Sequence, residues 1–134
     1  MPDFQPSVWL IDDDAEDHYI IQHIIDELQP PLTLKHFTDG QELLPELQAS
    51  SELPKVILLD LNLDPLDGFS VLEALRSYQA YEHVPVFIYT SSSFEMDKVR
   101  SVQLGATGFI TKPDRIEDLK ERLRQLIAEW IKEN

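Results

Sequence analysis

Lys55-Val-Ile-Leu-Leu-Asp60-Leu-Asn62-Leu-Asp64-Pro-Leu-Asp67-Gly68 is the stretch of sequence that decides the fold. Its four apolar residues from Val56 to Leu59 are too few for a buried helix and are typical of a strand covered on both faces of a parallel sheet. Open α/β sheets place their ligands at the carboxyl ends of the strands. Asp60 ends this strand and is therefore a candidate nucleophile or metal ligand, although a plain loop acid is the commonest role for such a residue taken alone.

The pattern of a short apolar run followed by a helical segment occurs five times along the chain. The predicted strands cover residues 7–11, 32–37, 56–59, 84–89 and 107–111. A helix between each strand and the next predicts an α/β fold, with a five-stranded parallel sheet, five helices on its two faces and right-handed crossovers.

Local signals predict how the last two helices begin and which side chains they bury. Ser92 with Glu95, and Asp114 with Glu117, match the capping-box pattern at a helix N-terminus. The predicted inward face of the fourth helix comprises Met96, Val99 and Leu104.

Composition limits the classes of function. The 134 residues, 43% of them hydrophobic, suffice for one core, and we expect a single domain over 1–134 with no effector domain. Lys and Arg total 11 against 25 Asp and Glu, a formal net charge of −14, which argues against nucleic acid or an anionic membrane as a partner. The absence of cysteine, of a signal peptide and of a long apolar run favours a cytoplasmic protein.

Polar groups end four of the five predicted strands, and the carboxyl ends of parallel strands meet at one edge of the sheet. These groups are Asp12, Asp13 and Asp14 after the first strand, Asp60 after the third, Thr90 after the fourth and Lys112 after the fifth. Crowded carboxylates favour a hard divalent cation such as Mg²⁺, and an ammonium and a hydroxyl suit the oxygens of a phosphoryl group. We interpret the edge as a site where Asp60 attacks phosphorus and forms an aspartyl-phosphate.

Each of these residues also has an ordinary structural role. Asp14 suits a helix N-cap, and Asp12 and Asp13 suit loop acids near a helix N-terminus. Lys112 is by itself a typical solvated lysine, and Thr90 a typical hydroxyl at a strand end. Only the joint arrangement at the strand ends favours a functional site.

The motifs at the strand ends closely resemble the receiver domain of bacterial two-component response regulators, including the stand-alone chemotaxis type. The matching segments are Val-Trp-Leu-Ile-Asp12-Asp13-Asp14, Leu58-Leu59-Asp60-Leu61-Asn62, Tyr89-Thr90-Ser91 and Ile110-Thr111-Lys112-Pro113. The separations of 30 residues from Asp60 to Thr90 and 22 from Thr90 to Lys112 are typical of such domains. The resemblance covers nearly the whole chain and implies a flavodoxin-like, doubly wound fold with strand order 2-1-3-4-5.

The resemblance also implies a role for each site residue. Asp60 would be the phosphoacceptor, Asp13 a direct Mg²⁺ ligand, Asp12 a ligand through water, Asn62 a ligand through its backbone carbonyl, and Thr90 and Lys112 the groups that bind the phosphoryl oxygens. In the family the threonine moves toward the phosphoryl group while an aromatic residue on the last strand turns inward. The aromatic residue at that position is Phe109, so Thr90 and Phe109 are the predicted switch residues.

Three positions depart from the family pattern. Phe109 lacks the hydroxyl of the commoner tyrosine, which removes any switch hydrogen bond there. Asp64 stands where the family usually has proline, with Pro65 one residue later, which alters the turn and adds negative charge near the metal site. Asp114 replaces the usual hydrophobic residue after Lys112 and Pro113.

The predicted function is that of a single-domain response regulator in a phosphorelay. The domain would take a phosphoryl group from a sensor histidine kinase or a phosphotransfer protein and signal through a downstream protein target that the sequence does not identify. It would catalyse its own phosphorylation and dephosphorylation and not act as an enzyme on a separate substrate. The serine run and the tryptophan-bearing last helix resemble small receivers that partner phytochrome-type and other sensor kinases, and some of these receivers pair as homodimers.

Two rival functions stay open. One is a haloacid-dehalogenase-like phosphatase in which Asp12 is the nucleophile and Asp14 the acid, but that class needs a further acidic pair after its lysine. The other is a receiver-like interaction module that is not phosphorylated because Asp64 disturbs the metal site. A Mg²⁺-dependent adduct on Asp60 would separate the predicted function from both.

Overall fold

Five short parallel strands form the sheet of the computed structural model, which describes residues 6–28 and 31–131. The strands are β1 (Ser7–Ile11), β2 (Thr33–Phe37), β3 (Val56–Leu59), β4 (Val86–Thr90) and β5 (Gly108–Thr111). Their order is β2-β1-β3-β4-β5 and every neighbouring pair is parallel. The predicted fold class and the predicted strand order are therefore confirmed.

Helices cover both faces of this sheet. They are α1 (Ala15–Asp26), α2 (Leu43–Ala49), α3 (Gly68–Arg76), α4 (Glu95–Gln103) and α5 (Ile116–Trp130). One core cluster joins strand side chains such as Leu58 to α1 and α5, and a second joins side chains such as Leu59 to α2 and α3. Successive residues of β3 thus enter opposite cores, which is why its whole run is apolar. Within the described residues, no helix combines the length and the hydrophobicity needed to cross a membrane.

The last two helices begin differently from the prediction. Neither α4 nor α5 has a side-chain cap at its N-terminus; the capping positions are Phe94 and Arg115. Ser92 lies two residues before the α4 cap, and its hydroxyl donates instead to Asp97 Oδ2 at 2.5 Å. Both predicted capping boxes are wrong because each assumed a helix start that lies earlier than the observed one.

Helix α4 also buries a different face from the predicted one. Met96 is 76% exposed and Val99 is 42% exposed, so these two side chains do not enter the core. The side that faces the protein carries Asp97, buried Ser101 and partly buried Leu104. The Ser101 hydroxyl donates to the Asp97 carbonyl at 2.7 Å, which lets a polar residue occupy that buried position.

Helix α3 has a side-chain cap that the central loop supplies. Asp67 Oδ1 accepts a hydrogen bond from the Ser70 amide at 2.9 Å. We expect Asp67→Ala to lower the free energy of unfolding by about 1 kcal/mol, because one helix-terminal amide loses its partner. Urea denaturation measures the change, and Asp67→Asn is the control, since asparagine caps about as well as aspartate. Equal destabilisation by Ala and Asn would contradict this role.

Candidate functional site

The ends of β1 and β3 place two carboxylates side by side in the interior of the protein. Ile11 and Leu59 are partners in the parallel register, and Asp12 and Asp60 directly follow them. The Asp60 amide donates to the Ile11 carbonyl at 3.0 Å, which continues the ladder to the acids. Asp12 is fully buried and Asp60 is 4% exposed. Two adjacent buried carboxylates need a positive charge to compensate them.

A third carboxylate completes a group that suits a metal ion. Asp12, Asp13 and Asp60 each offer a carboxylate oxygen, and these oxygens lie within 4.8 Å of one another. Asp12 and Asp60 are buried and Asp13 is exposed, so their carboxylate oxygens suit a hard divalent cation that keeps part of its water shell. Asn62 is exposed beside this group, and its backbone N–H donates to Asp60 Oδ1 at 3.1 Å. The predicted ligand role of the Asn62 carbonyl stays a prediction.

Lys112 lies beside these three acids, although it is distant from them in the sequence. The three acids and the lysine together line one acidic pocket. Its Nζ is 3.1 Å from Asp12 Oδ2 and 3.2 Å from Asp60 Oδ2. The same ammonium contacts Asp17 Oδ2, an acid in the first turn of α1. The Lys112 amide donates to the Thr90 carbonyl at 2.7 Å, so the end of β4 helps to fix the lysine. The structure thus brings the ammonium to the acidic group, as predicted.

The two predicted switch residues, Thr90 and Phe109, lie on the neighbouring strands β4 and β5. Thr90 is fully buried, and its hydroxyl oxygen accepts a hydrogen bond from the Ser92 amide at 3.4 Å. Phe109 is half-buried, with Lys98 Nζ 5.9 Å from the centre of its ring. Thr90 thus contacts the connection into α4, and Phe109 contacts α4 itself.

Comparison with known families agrees with this geometry. The family model for the response regulator receiver domain matches residues 8–124 of the chain. The chain belongs to that family. Receiver-domain relatives are response regulators of two-component systems, and receiver domains are signalling domains that interact with histidine kinases or phosphotransfer partners.

Solved structures and curated sequences support the same assignment. The phosphorylated cyanobacterial phytochrome response regulator RcpA superposes with a TM-score of 0.87 at 27% identity, covering 96% of this chain and 95% of RcpA. The Mn²⁺-bound form of Rcp1 from Synechocystis superposes with a TM-score of 0.85 at 26% identity, covering 96% of each chain. The sensor histidine kinase CheAY of Helicobacter pylori is 33% identical over 106 residues, or 79% of this chain. The receiver domain spans 13% of CheAY and half the length or less of several other curated relatives.

Burial sets the electrostatics of this receiver domain. Burial raises the pKa of Asp12 to about 7, while the hydrogen bond from the Asp14 amide and the charge of Lys112 oppose that rise. Burial lowers the pKa of Lys112, but its hydrogen bond to Asp17 and the charges of Asp12 and Asp60 outweigh burial and raise the pKa above its usual value. The lysine is therefore a permanent cation in the pocket.

Sequence reasoning missed Asp17, and the expected effect of Asp64 on the turn beside the metal site stays a prediction. Asp17 lies in the first turn of the helix that follows an acid-terminated strand, and that position was the available signal. Asp64 is exposed, and among the described residues the acids close enough to share an ion are Asp12, Asp13 and Asp60. Asp14 is the N-cap of α1 and accepts from the Glu16 amide at 2.9 Å, as its ordinary structural role predicted.

Proposed function

We propose that this receiver domain accepts a phosphoryl group onto Asp60 in a Mg²⁺-dependent reaction. The donor would be the phosphohistidine of a sensor histidine kinase or of a phosphotransfer protein, and the output would be altered contact with a downstream protein. One observation carries the proposal: the buried Asp60 carboxylate belongs to the group of acids that could hold a cation and also lies 3.2 Å from the Lys112 ammonium.

Each group in the pocket has a distinct task in this reaction. An Asp60 carboxylate oxygen attacks phosphorus, the new O–P bond forms as the N–P bond to the donor histidine breaks, and the histidine nitrogen keeps the electron pair. Asp12, Asp13, Asp60 and the Asn62 carbonyl would hold Mg²⁺, which supplies positive charge beside the phosphoryl oxygens when bound. Lys112 exchanges its bond to Asp60 Oδ2 for one to a phosphoryl oxygen.

Thr90 and Phe109 would link phosphorylation of Asp60 to the surface of α4. The Thr90 hydroxyl would leave the Ser92 amide, its present partner at 3.4 Å, and bind a phosphoryl oxygen. Phe109 has no hydroxyl, so its inward movement would act through ring packing alone. The ring lies beside Lys98 of α4, and its displacement would therefore change the exposed surface of that helix.

Acetyl phosphate with Mg²⁺ tests the proposal directly. We expect an acid-stable, base-labile phosphate adduct that maps to Asp60 by mass spectrometry and does not form when EDTA is present from the start of the reaction. Absence of an adduct under these conditions would favour the interaction module that is not phosphorylated. Steady hydrolysis of phosphomonoesters, with the phosphoryl group on Asp12, would favour the phosphatase alternative.

The raised pKa of Asp12 predicts how Mg²⁺ affinity depends on pH. Below a pKa of about 7 the Asp12 carboxyl holds a proton that the cation must displace or tolerate. We therefore expect the dissociation constant for Mg²⁺ to rise by up to about tenfold for each pH unit below 7, and to level off above it. Isothermal titration calorimetry measures this dependence.

The control for the pH experiment is Asp12→Asn, because the asparagine side chain does not titrate near neutral pH. This variant should bind Mg²⁺ more weakly, with a dissociation constant that changes little between about pH 6 and pH 8. If the wild-type dissociation constant for Mg²⁺ is the same at about pH 6 as at about pH 8, the assignment of the titration to Asp12 is contradicted.

Three expectations from the sequence stay predictions: a single domain over residues 1–134, a cytoplasmic location and pairing as a homodimer.

A further inference from the structure

The Lys112 ammonium has three N–H bonds and three carboxylate neighbours. It donates to Asp12 Oδ2 at 3.1 Å, to Asp60 Oδ2 at 3.2 Å and to Asp17 Oδ2. The lysine side chain is only 18% exposed, and that of Asp17 is 16% exposed. Water therefore has little access to the ammonium, and its hydrogen bonds are strong charge-assisted ones.

Asp17 differs from the other two partners because it takes no part in the cation group. Asp12 and Asp60 belong to the group of oxygens within 4.8 Å of one another, and Asp60 is the proposed phosphoacceptor. Asp17 comes from α1, whose first turn is fixed by the Asp14 cap. A carboxylate on a fixed helical turn is a stable anchor for a flexible lysine.

We propose that Asp17 is a positioning residue that holds the Lys112 ammonium beside Asp60 during phosphoryl transfer. This inference rests on the proposed function. When Asp60 becomes phosphorylated, its bond from Lys112 is released, and that N–H becomes available to a phosphoryl oxygen. The bond to Asp17 does not compete for the released N–H and keeps the four-carbon side chain from moving away.

The test compares Asp17→Asn with Glu16→Gln, which removes one negative charge from the same helical turn at an exposed position. At saturating Mg²⁺ and acetyl phosphate, we expect Asp17→Asn to slow formation of the Asp60 adduct about tenfold, the effect of losing one charge-assisted hydrogen bond. The dissociation constant for Mg²⁺ should change by less than about threefold, because Asp17 is outside the cation group. Glu16→Gln should behave as wild type.

A second readout follows Lys112 itself and needs no phosphorylation. Acetic anhydride modifies free amines, and the exposed Lys55 serves as an internal reference within each sample. In wild type, Lys112 should react slowly relative to Lys55, because its ammonium is held by three carboxylates. In Asp17→Asn we expect the relative reactivity of Lys112 to rise about tenfold.

The outcomes separate this inference from the proposed function. No adduct on the wild type defeats the proposed function, whereas an adduct that forms equally fast on wild type and Asp17→Asn overturns the role of Asp17 alone. Slower formation of the Asp60 adduct on Asp17→Asn, with the reactivity of Lys112 toward acetic anhydride unchanged, also overturns the role of Asp17. Asp17→Glu, which shifts the carboxylate by one methylene, should slow formation of the Asp60 adduct about threefold. If circular dichroism shows that Asp17→Asn does not fold, Asp17→Glu supplies the same comparison. Formation of the Asp60 adduct on Asp17→Glu at the wild-type rate would then overturn the role of Asp17.

Discussion

Asp60→Asn is expected to abolish phosphorylation by acetyl phosphate and by a donor phosphohistidine, with a loss of at least about a thousandfold in rate. The amide oxygen is a far weaker nucleophile than the carboxylate, and no anionic oxygen remains to form the bond to phosphorus. Asparagine keeps the size of the side chain and an oxygen that accepts from the backbone N–H of Asn62, so the loop keeps that contact. Mass spectrometry of the intact protein and of its peptides measures the adduct.

Asp64→Asn is the matched control for this variant. Asp64 lies in the same loop and loses the same charge, but it is exposed and outside the cation group. We expect it to be phosphorylated at Asp60 at close to the wild-type rate. A phosphate adduct that forms on Asp60→Asn as fast as on wild type would show that the acceptor is another residue.

Gly68→Ala is expected to lower the free energy of unfolding by about 3 kcal/mol or more, at or beyond the upper end of the usual cost of overpacking. A Cβ atom on Gly68 would lie 2.2 Å from the Asp60 carbonyl oxygen and 2.7 Å from Leu61 Cα. These are backbone atoms, which cannot rotate away as a side chain can. The Gly68 amide also donates to the Leu61 carbonyl at 3.0 Å, which holds the two backbone segments together.

Urea denaturation of Gly68→Ala measures this cost, with Ser70→Ala as the control. Ser70 lies on the same helix at an exposed position, and its cap contact uses the backbone amide, which alanine retains. The control should change the free energy of unfolding by less than about 0.5 kcal/mol. Equal urea midpoints for Gly68→Ala and wild type would contradict the close approach. Because the displaced backbone carries Asp60, a folded Gly68→Ala should also be phosphorylated more slowly.

Much of the fold follows from short-range patterns in the sequence. The run from Val56 to Leu59 is apolar at every position because the strand is covered on both faces, and the structure buries all four side chains. The helix starts were harder to predict. Capping signals are short and recur by chance, and Ser92 and Asp114 matched the pattern although α4 and α5 begin at later residues.

The face that a helix buries depends on its rotation against the sheet, which apolar spacing alone does not fix. Met96 and Val99 have the spacing of an inward stripe, yet both are exposed, and Ser101 takes a buried position. The Ser101 hydroxyl bonds within its own helix and makes this burial acceptable. A pattern based on hydrophobicity does not detect such a contact.

The sequence by itself determined the parallel sheet and the polar groups at its edge, because a two-sided apolar strand ending in an acid encodes both locally. It also indicated that Lys112 would meet Asp12 and Asp60, since parallel strands end on the same side. Only the tertiary structure decided that Asp17 joins the lysine and that Gly68 lies against the Asp60 backbone. Both depend on the distance and angle between packed elements, which are set by the whole core and not by any one segment.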